Sequence, residues 1–242
     1  MTVQPRYQNL FVYGCSLTKD NYIDTWADLL SNQLGCKLYN FAERGAGYTY
    51  IIQKLYTSFV NNPDTLCIIM WPSADRLDLY VNSAVPHLQN DIEFASWLDG
   101  YKAQFVDYNN QYNNQHGWYI NGAVPRGYKN QYYKYFYNQS MHVNSAWATI
   151  LSAQYYLDSI GANYIMCNSY PITNLIQYHD DGVKDFNFAL YNKINLTKFV
   201  RDADCRGFIN LSIEQKFKFF NPHYPDADAH AWYVDNYLMP II

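Results

Sequence analysis

The sequence carries little charge and never concentrates it. Only 16% of its 242 residues are Asp, Glu, Lys or Arg, the formal net charge is −4, and the basic residues stand singly. Without a basic field the chain lacks the phosphate-neutralising surface that nucleic-acid binding needs, so no nucleic acid is expected as a partner. No apolar run approaches the roughly 18 to 20 residues of a membrane span, which excludes an ordinary spanning helix. The opening MTVQPRYQNL has neither the basic nor the apolar region of a secretory signal peptide. Cysteine is equally unpatterned: Cys15, Cys36, Cys67, Cys167 and Cys205 show no CxxC or Cys/His ligand spacing, and three lie in apolar runs that read as strands. An odd, scattered set of thiols suits a reducing compartment, so synthesis in a cytoplasm is expected. His87, His116, His142 and His179 have no i, i+4 or HxH partner, and no metal site is expected.

What the chain has in abundance is aromatic side chains, 19% of the total, with 26 tyrosines. Tyrosine combines a flat apolar face with a hydroxyl, which suits sugar stacking or an interface and equally suits an ordinary core.

Short apolar runs alternate with helix-like stretches, the pattern of βα units and a parallel sheet. Leu10 to Tyr13 reads as a first strand and ends at Gly14-Cys15-Ser16. A helix follows through Trp26, Leu29, Leu30 and Leu34, with Gly35 placed to stop it. Asp20 and Asp24 read as residues that cap or flank it. Cys36 to Phe41 reads as a second strand, Tyr48 to Phe59 as a helix and Leu66 to Trp71 as a third strand, apolar throughout and therefore central. Ser145 to Ile160 reads as a helix, Tyr164 to Cys167 as a fourth strand, Gly207 to Leu211 as a short fifth, and Asp228 to Leu238 as a closing helix. Between Ala84 and Asn144 the periodicity dissolves into Tyr, Asn and Gln, an insertion over the sheet whose interleaved aromatics predict an ordered cap. The size fits a single domain, residues 1–242, carrying 84–144 as that insertion.

Reactive groups in open parallel sheets collect beyond the carboxyl ends of strands. Ser16 follows strand one, Gly45 strand two and Pro72-Ser73 strand three, while His223 lies on a loop before the last helix. A serine hydroxyl needs a base to take its proton, and the resulting oxyanion needs fixed donors. These residue types supply both: Ser16 to attack, His223 as base, and the backbone N–H groups of Ser16 and Gly45 aimed at the oxyanion.

FVYGCSLT followed by TWADLLSNQLGCKLYNFAERGAGYTYI resembles the first two blocks of the SGNH, or GDSL-like, hydrolase superfamily. Gly14-Cys15-Ser16-Leu17 stands where that family has Gly-Asp-Ser-Leu, and Gly45, preceded by Asn40 at a strand end, matches its glycine block. The resemblance implies a flavodoxin-like, three-layer α/β/α fold with a five-stranded parallel sheet, and hydrolysis of esters. It also exposes departures. Where the family has Gly-x-Asn-Asp, this chain has Trp71-Pro72-Ser73-Ala74-Asp75-Arg76, so the third oxyanion donor would be the Ser73 hydroxyl. Where it has Asp-x-x-His, this chain has Phe220-Asn221-Pro222-His223, with no aspartate three residues before the histidine. The ring would then be held by a backbone carbonyl, by Asn221 or by Asp226. His230, with Asp226 at i−4 and Asp228 at i−2, is the rival base.

The expected activity is that of a serine esterase forming an acyl-enzyme on Ser16, with no cofactor. A small-molecule or glycan ester is the expected substrate, an O-acetylated carbohydrate before a lipid, because the insertion is Tyr/Asn/Gln-rich. The competing reading is a binding module on the same fold whose catalysis has decayed, holding a glycan or protein through the aromatic insertion. A third is acyl transfer to another hydroxyl. Asp75-Arg76 reads as a solvated ion pair before an anion-binding element. The Tyr/Asn-rich, low-charge composition is similar to that of proteins of phages, other viruses and marine microbes, and oligomeric state is not written in the sequence.

Overall fold

The computed structural model describes residues 6–20, 22–74, 76, 78–82, 106–107, 116–119, 138–171, 187–200, 206–221 and 224–242, with backbone alone at 79–82, 106–107, 116–119, 139 and 221. In chain order the elements are β1 (Asn9–Tyr13), α1 (Trp26–Leu34), β2 (Lys37–Asn40), α2 (Tyr48–Ser58), β3 (Thr65–Trp71), β4 (Leu79–Asn82), β5 (Val106–Asp107), β6 (His116–Tyr119), α3 (Gln139–Ser159), β7 (Asn163–Asn168), α4 (Phe188–Tyr191), α5 (Phe208–Glu214), β8 (Phe219–Asn221), β9 (Tyr224–Pro225) and α6 (Ala227–Tyr233). The fold is mixed α/β around a four-stranded parallel sheet of order β2-β1-β3-β7.

The first βα units form where their residue patterns ask for them. β3 is buried at every position and lies between β1 and β7, as its unbroken apolar run requires. α1 buries Trp26, Ala27, Leu30 and Ser31 on one face and ends at Gly35, whose φ of +63° is the left-handed conformation that a Cβ disfavours. The side chains of β1 and of β2 with the residue that follows it form an aromatic seam: Phe11 stacks on Tyr39 at 4.5 Å and Tyr13 on Phe41 at 5.5 Å. Tyr13, Tyr48, Tyr50, Tyr164, Tyr233 and Tyr237 are all buried, so part of the tyrosine complement fills the core. α1 packs with α6, and α2 with α3.

The expectation of a fifth strand at Gly207 to Leu211 is overturned, because this segment is the first turn of helix α5. Phe208, Ile209, Leu211 and Ser212 are buried at a helical spacing, but the three apolar residues of the segment alone do not distinguish a helix from a strand. Gly207 sits where a Cβ would collide with the Ser169 carbonyl and the Tyr170 backbone, so it marks a crowded helix entry. The fifth position beside β7 is held instead by a single parallel bridge, Met166 to Phe199. α3 starts at Gln139, six residues before the expected Ser145, because Asn138 caps it by accepting the Met141 N–H. The closing helix is regular only from Ala227 to Tyr233, then widens to a π turn over Val234–Leu238.

The insertion, 84–144 in the sequence reading, falls mostly outside the described residues. Its described strands, β5 and β6, join β4 in a separate antiparallel sheet of order β4-β6-β5. Among the described residues no helix is long and apolar enough to cross a membrane.

Candidate functional site

All four strands of the main sheet are parallel, so their carboxyl ends share one edge. The chain leaves β1 toward β2 on one side, then crosses to β3 on the other, which makes the β1/β3 boundary a topological switch point. Ser16 follows β1 three residues past its end and is 4% exposed. Gly14, which precedes it, has no room for a side chain: a Cβ would strike the Thr18 hydroxyl and come within 3.1 Å of the Met70 carbonyl. The Cys15 carbonyl then accepts the Thr18 and Lys19 N–H groups, tightening the segment that carries the serine.

The loop after β2 is fastened to that segment from backbone and side chain. Phe41 and Glu43 donate their N–H groups to the carbonyls of Val12 and Gly14, at 2.9 and 3.2 Å. The Asn40 amide donates to the Thr18 carbonyl at 2.8 Å while its oxygen accepts the Ala42 N–H. Lys19 pairs with Glu43 at 3.0 Å and Arg44 with Asp20 at 3.1 Å. Asp20, expected to cap or flank α1, is thus spent on this second loop, while Thr25 and Asp28 organise the helix start through the Thr25 N–H and hydroxyl, both donating to Asp28.

Within the loop, the Ala46 N–H donates to the Glu43 carbonyl at 3.1 Å, and Gly45 has φ +83°. Arg44 has a negative φ, since Lys216 is the only described non-glycine residue with a positive one. Negative φ followed by positive φ defines a type II turn, whose third position favours glycine. The central N–H of such a turn, here that of Gly45, takes no part in the turn's own bond. Among the described residues neither it nor the Ser16 N–H has an acceptor.

Ser73 is half-buried on the loop after β3, and its carbonyl accepts the Arg76 N–H at 3.4 Å. Asp75 lies outside the described residues, and with it the expected Asp75-Arg76 pair; the Arg76 guanidinium donates to the Ala46 carbonyl at 3.3 Å. Asp78 is the residue that the sequence reading missed. Its carboxylate accepts the Gly47 N–H at 2.8 Å and the Tyr50 N–H at 2.9 Å, and so caps α2. Burial raises its carboxyl to about 6, against the lowering pull of the Tyr50 and Gly47 N–H bonds and of the Arg76 charge. A signal existed: α2 begins after Gly47, which has no side chain to cap with, so its first amides need an acceptor from elsewhere.

At the opposite end of the sequence, Pro222 and His223 lie outside the described residues; the residues that flank them in sequence, Asn221 of β8 and Tyr224 of β9, are paired. The Asn221 side chain is likewise outside them. Asp226 is the N-cap of α6, its carboxylate accepting the Ala229 N–H at 3.1 Å. His230 is 2% exposed, packs its ring on Phe208 at 4.8 Å, and accepts the Trp26 N–H on Nδ1 at 3.1 Å. Desolvation lowers its pKa to about 4, outweighing the raising pull of Asp20, Asp226 and Asp28. A neutral imidazole that accepts on Nδ1 carries its proton on Nε2, which leaves no lone pair there to receive another.

No protein-family profile matches the sequence, and no curated protein sequence matches it. Among solved structures, the chain is similar to the lipase Lip_vut3 from a goat rumen metagenome, with 10% identity, a TM-score of 0.46 and 92% of each chain covered.

Proposed function

We propose that this chain is a serine ester hydrolase of the SGNH type, with Ser16 as nucleophile and the Ser16 and Gly45 N–H groups as oxyanion donors. The observation that carries the reading is the type II turn of Glu43–Ala46, tied to the serine loop and leaving the Gly45 N–H without a described acceptor. A donor held in this way costs no reorganisation when charge develops on a carbonyl oxygen. Ser16 attacks the acyl carbon, its proton passes to His223, and the alkoxide leaving group takes that proton as the acyl-enzyme forms. Water then repeats the steps to release the acid. Ser73 is the third donor in this scheme, and Asn221 is the preferred orienter of His223, since Asp226 is engaged in capping α6. The tautomer of His230 favours His223 as the base.

The same reading carries the three-layer arrangement. Right-handed crossovers would put α1 and α6 on one face of the sheet and α2 and α3 on the other, in keeping with how these helices pair. The Tyr/Asn/Gln-rich insertion suits a polar ester such as an O-acetylated carbohydrate.

The test is labelling with a fluorophosphonate probe beside p-nitrophenyl acetate hydrolysis, on the parent protein and on Ser16→Ala, His223→Ala and His230→Asn. Loss of both signals in the first two variants and retention in the third is expected. A folded parent protein that neither labels nor turns over would refute the hydrolase and leave a binding module on this fold.

A further inference from the structure

The loop after β3 lacks the asparagine that its family resemblance leads one to expect, yet it makes three described hydrogen bonds to the stretch just after Gly45. Arg76 donates to the carbonyl of Ala46, and Asp78 accepts the N–H of Gly47. Those two groups belong to one peptide plane, which is therefore gripped at both ends by side chains two residues apart on a single loop. The second carboxylate oxygen of Asp78 takes the Tyr50 N–H, fixing the same side chain to the first turn of α2. Gly47 has no Cβ because one would lie 2.7 Å from the Asp78 carboxylate, so the close approach is built into the sequence of both loops.

We infer that Arg76 and Asp78 are positioning residues for the oxyanion hole: by holding the Ala46–Gly47 peptide plane they set the turn that aims the Gly45 N–H. The inference rests on the proposed esterase function. The Glu43–Ala46 turn is fastened on its near side to the serine loop, through the Glu43 N–H and the two ion pairs. Only the far side remains able to pivot about Gly45, whose own backbone is the least constrained of any residue type. The Arg76 and Asp78 bonds close that side. The loop after β3 thus contributes to oxyanion stabilisation through geometry, alongside whatever the Ser73 hydroxyl donates.

A plain helix-capping role for Asp78 makes a different prediction, because it would alter stability without touching turnover. The experiment compares Asp78→Asn, Asp78→Ala and Arg76→Ala with Gly35→Ala, a variant at the remote end of α1, by thermal midpoint, fluorophosphonate labelling rate, and kcat and KM for p-nitrophenyl acetate. Loss of a whole oxyanion donor costs about 100-fold to 1,000-fold in kcat. A donor that is present but misaimed should cost roughly tenfold or more. Asp78→Ala is therefore expected to lower kcat and labelling rate together by about that factor, with KM changed less than about twofold. Asp78→Asn retains one acceptor oxygen and should fall between it and the parent protein. Gly35→Ala should lower the midpoint and leave kcat unchanged. If Asp78→Ala does not fold, Arg76→Ala, which releases the other end of the same peptide, must show the kcat signature. Unchanged kcat in folded Asp78→Ala or Arg76→Ala overturns the positioning role while leaving the esterase standing. A parent protein without labelling or turnover overturns both, and is recognised before any variant is made.

Discussion

Acidification should destabilise this protein through His230 in particular. The folded imidazole has a pKa of about 4, whereas an unfolded one titrates near 6.5. The unfolded chain therefore binds the proton first as pH falls, and stability declines wherever it binds more protons than the folded state. The contribution is complete above about pH 6.5 and is lost progressively as pH falls toward 4. At pH 5 the unfolded imidazole has gained about 1.5 pH units of protonation free energy, about 2 kcal/mol, while the folded one has regained only about 0.1 kcal/mol. With the ring 2% exposed, solvent has little access to moderate that difference. His230→Asn offers an amide oxygen near the position of Nδ1, so it can keep the Trp26 N–H bond without titrating. Urea unfolding of both proteins at pH 7.5 and 5.0 measures the effect. The parent protein should lose about 2 kcal/mol more than His230→Asn between the two pH values. Equal losses in parent and variant would refute the assignment of a neutral, Nδ1-accepting imidazole.

Three further outcomes are expected from the described geometry. Gly35→Ala should cost about 1 kcal/mol in chemical denaturation, because the new Cβ meets nothing within 4 Å and only the left-handed φ of +63° opposes it. Thr25→Ala should cost about 1 to 2 kcal/mol, since the single hydroxyl proton is shared between Asp28 at 2.7 Å and the Thr18 carbonyl at 3.0 Å and the latter contact is buried; a thermal-shift measurement reads this directly. Gly207→Ala should be worse than either, at about 3 kcal/mol or more, or should fail to accumulate as folded protein, because its Cβ would meet backbone atoms of Ser169 and Tyr170 that cannot swing aside.

The sequence made the first three βα steps legible because each carries an unambiguous mark. Leu66 to Trp71 is too short and too uniformly apolar for anything but a central strand, and Gly35 stops a helix whose apolar spacing is plain. Phe208 to Leu211 carried no such mark: without a turn signal or a longer period, three apolar residues around Asn210 fit a strand or a helix. What decided it is the crowding of Gly207 against the turn after β7, a tertiary contact invisible in the sequence. The serine and glycine loops were recognisable as a local pattern, but what supports them was not. Asp78 lies 31 residues from the amide that it caps, and Trp26 lies 204 from the imidazole that accepts its N–H. Asp226 and His230 read as candidate catalytic partners because carboxylates and imidazoles attract that reading; one caps a helix, and the other is buried against its neighbour.

The bond between Trp26 and His230 also bears on the order of events in synthesis. α1 emerges well before α6, yet the first amide of the helix finds its acceptor only on α6, and Gln33 further along the same helix reaches Asp235 at 2.9 Å. A ribosome-bound chain that has not yet released α6 would carry the serine loop beside a helix whose Trp26 N–H lacks its acceptor and which is uncovered on one side. Completion of that region must wait for the 204 residues that separate Trp26 from His230, a long-range closure of the kind that slows folding. Nascent forms of this protein should therefore acquire their central sheet before the neighbourhood of Ser16 takes its final shape.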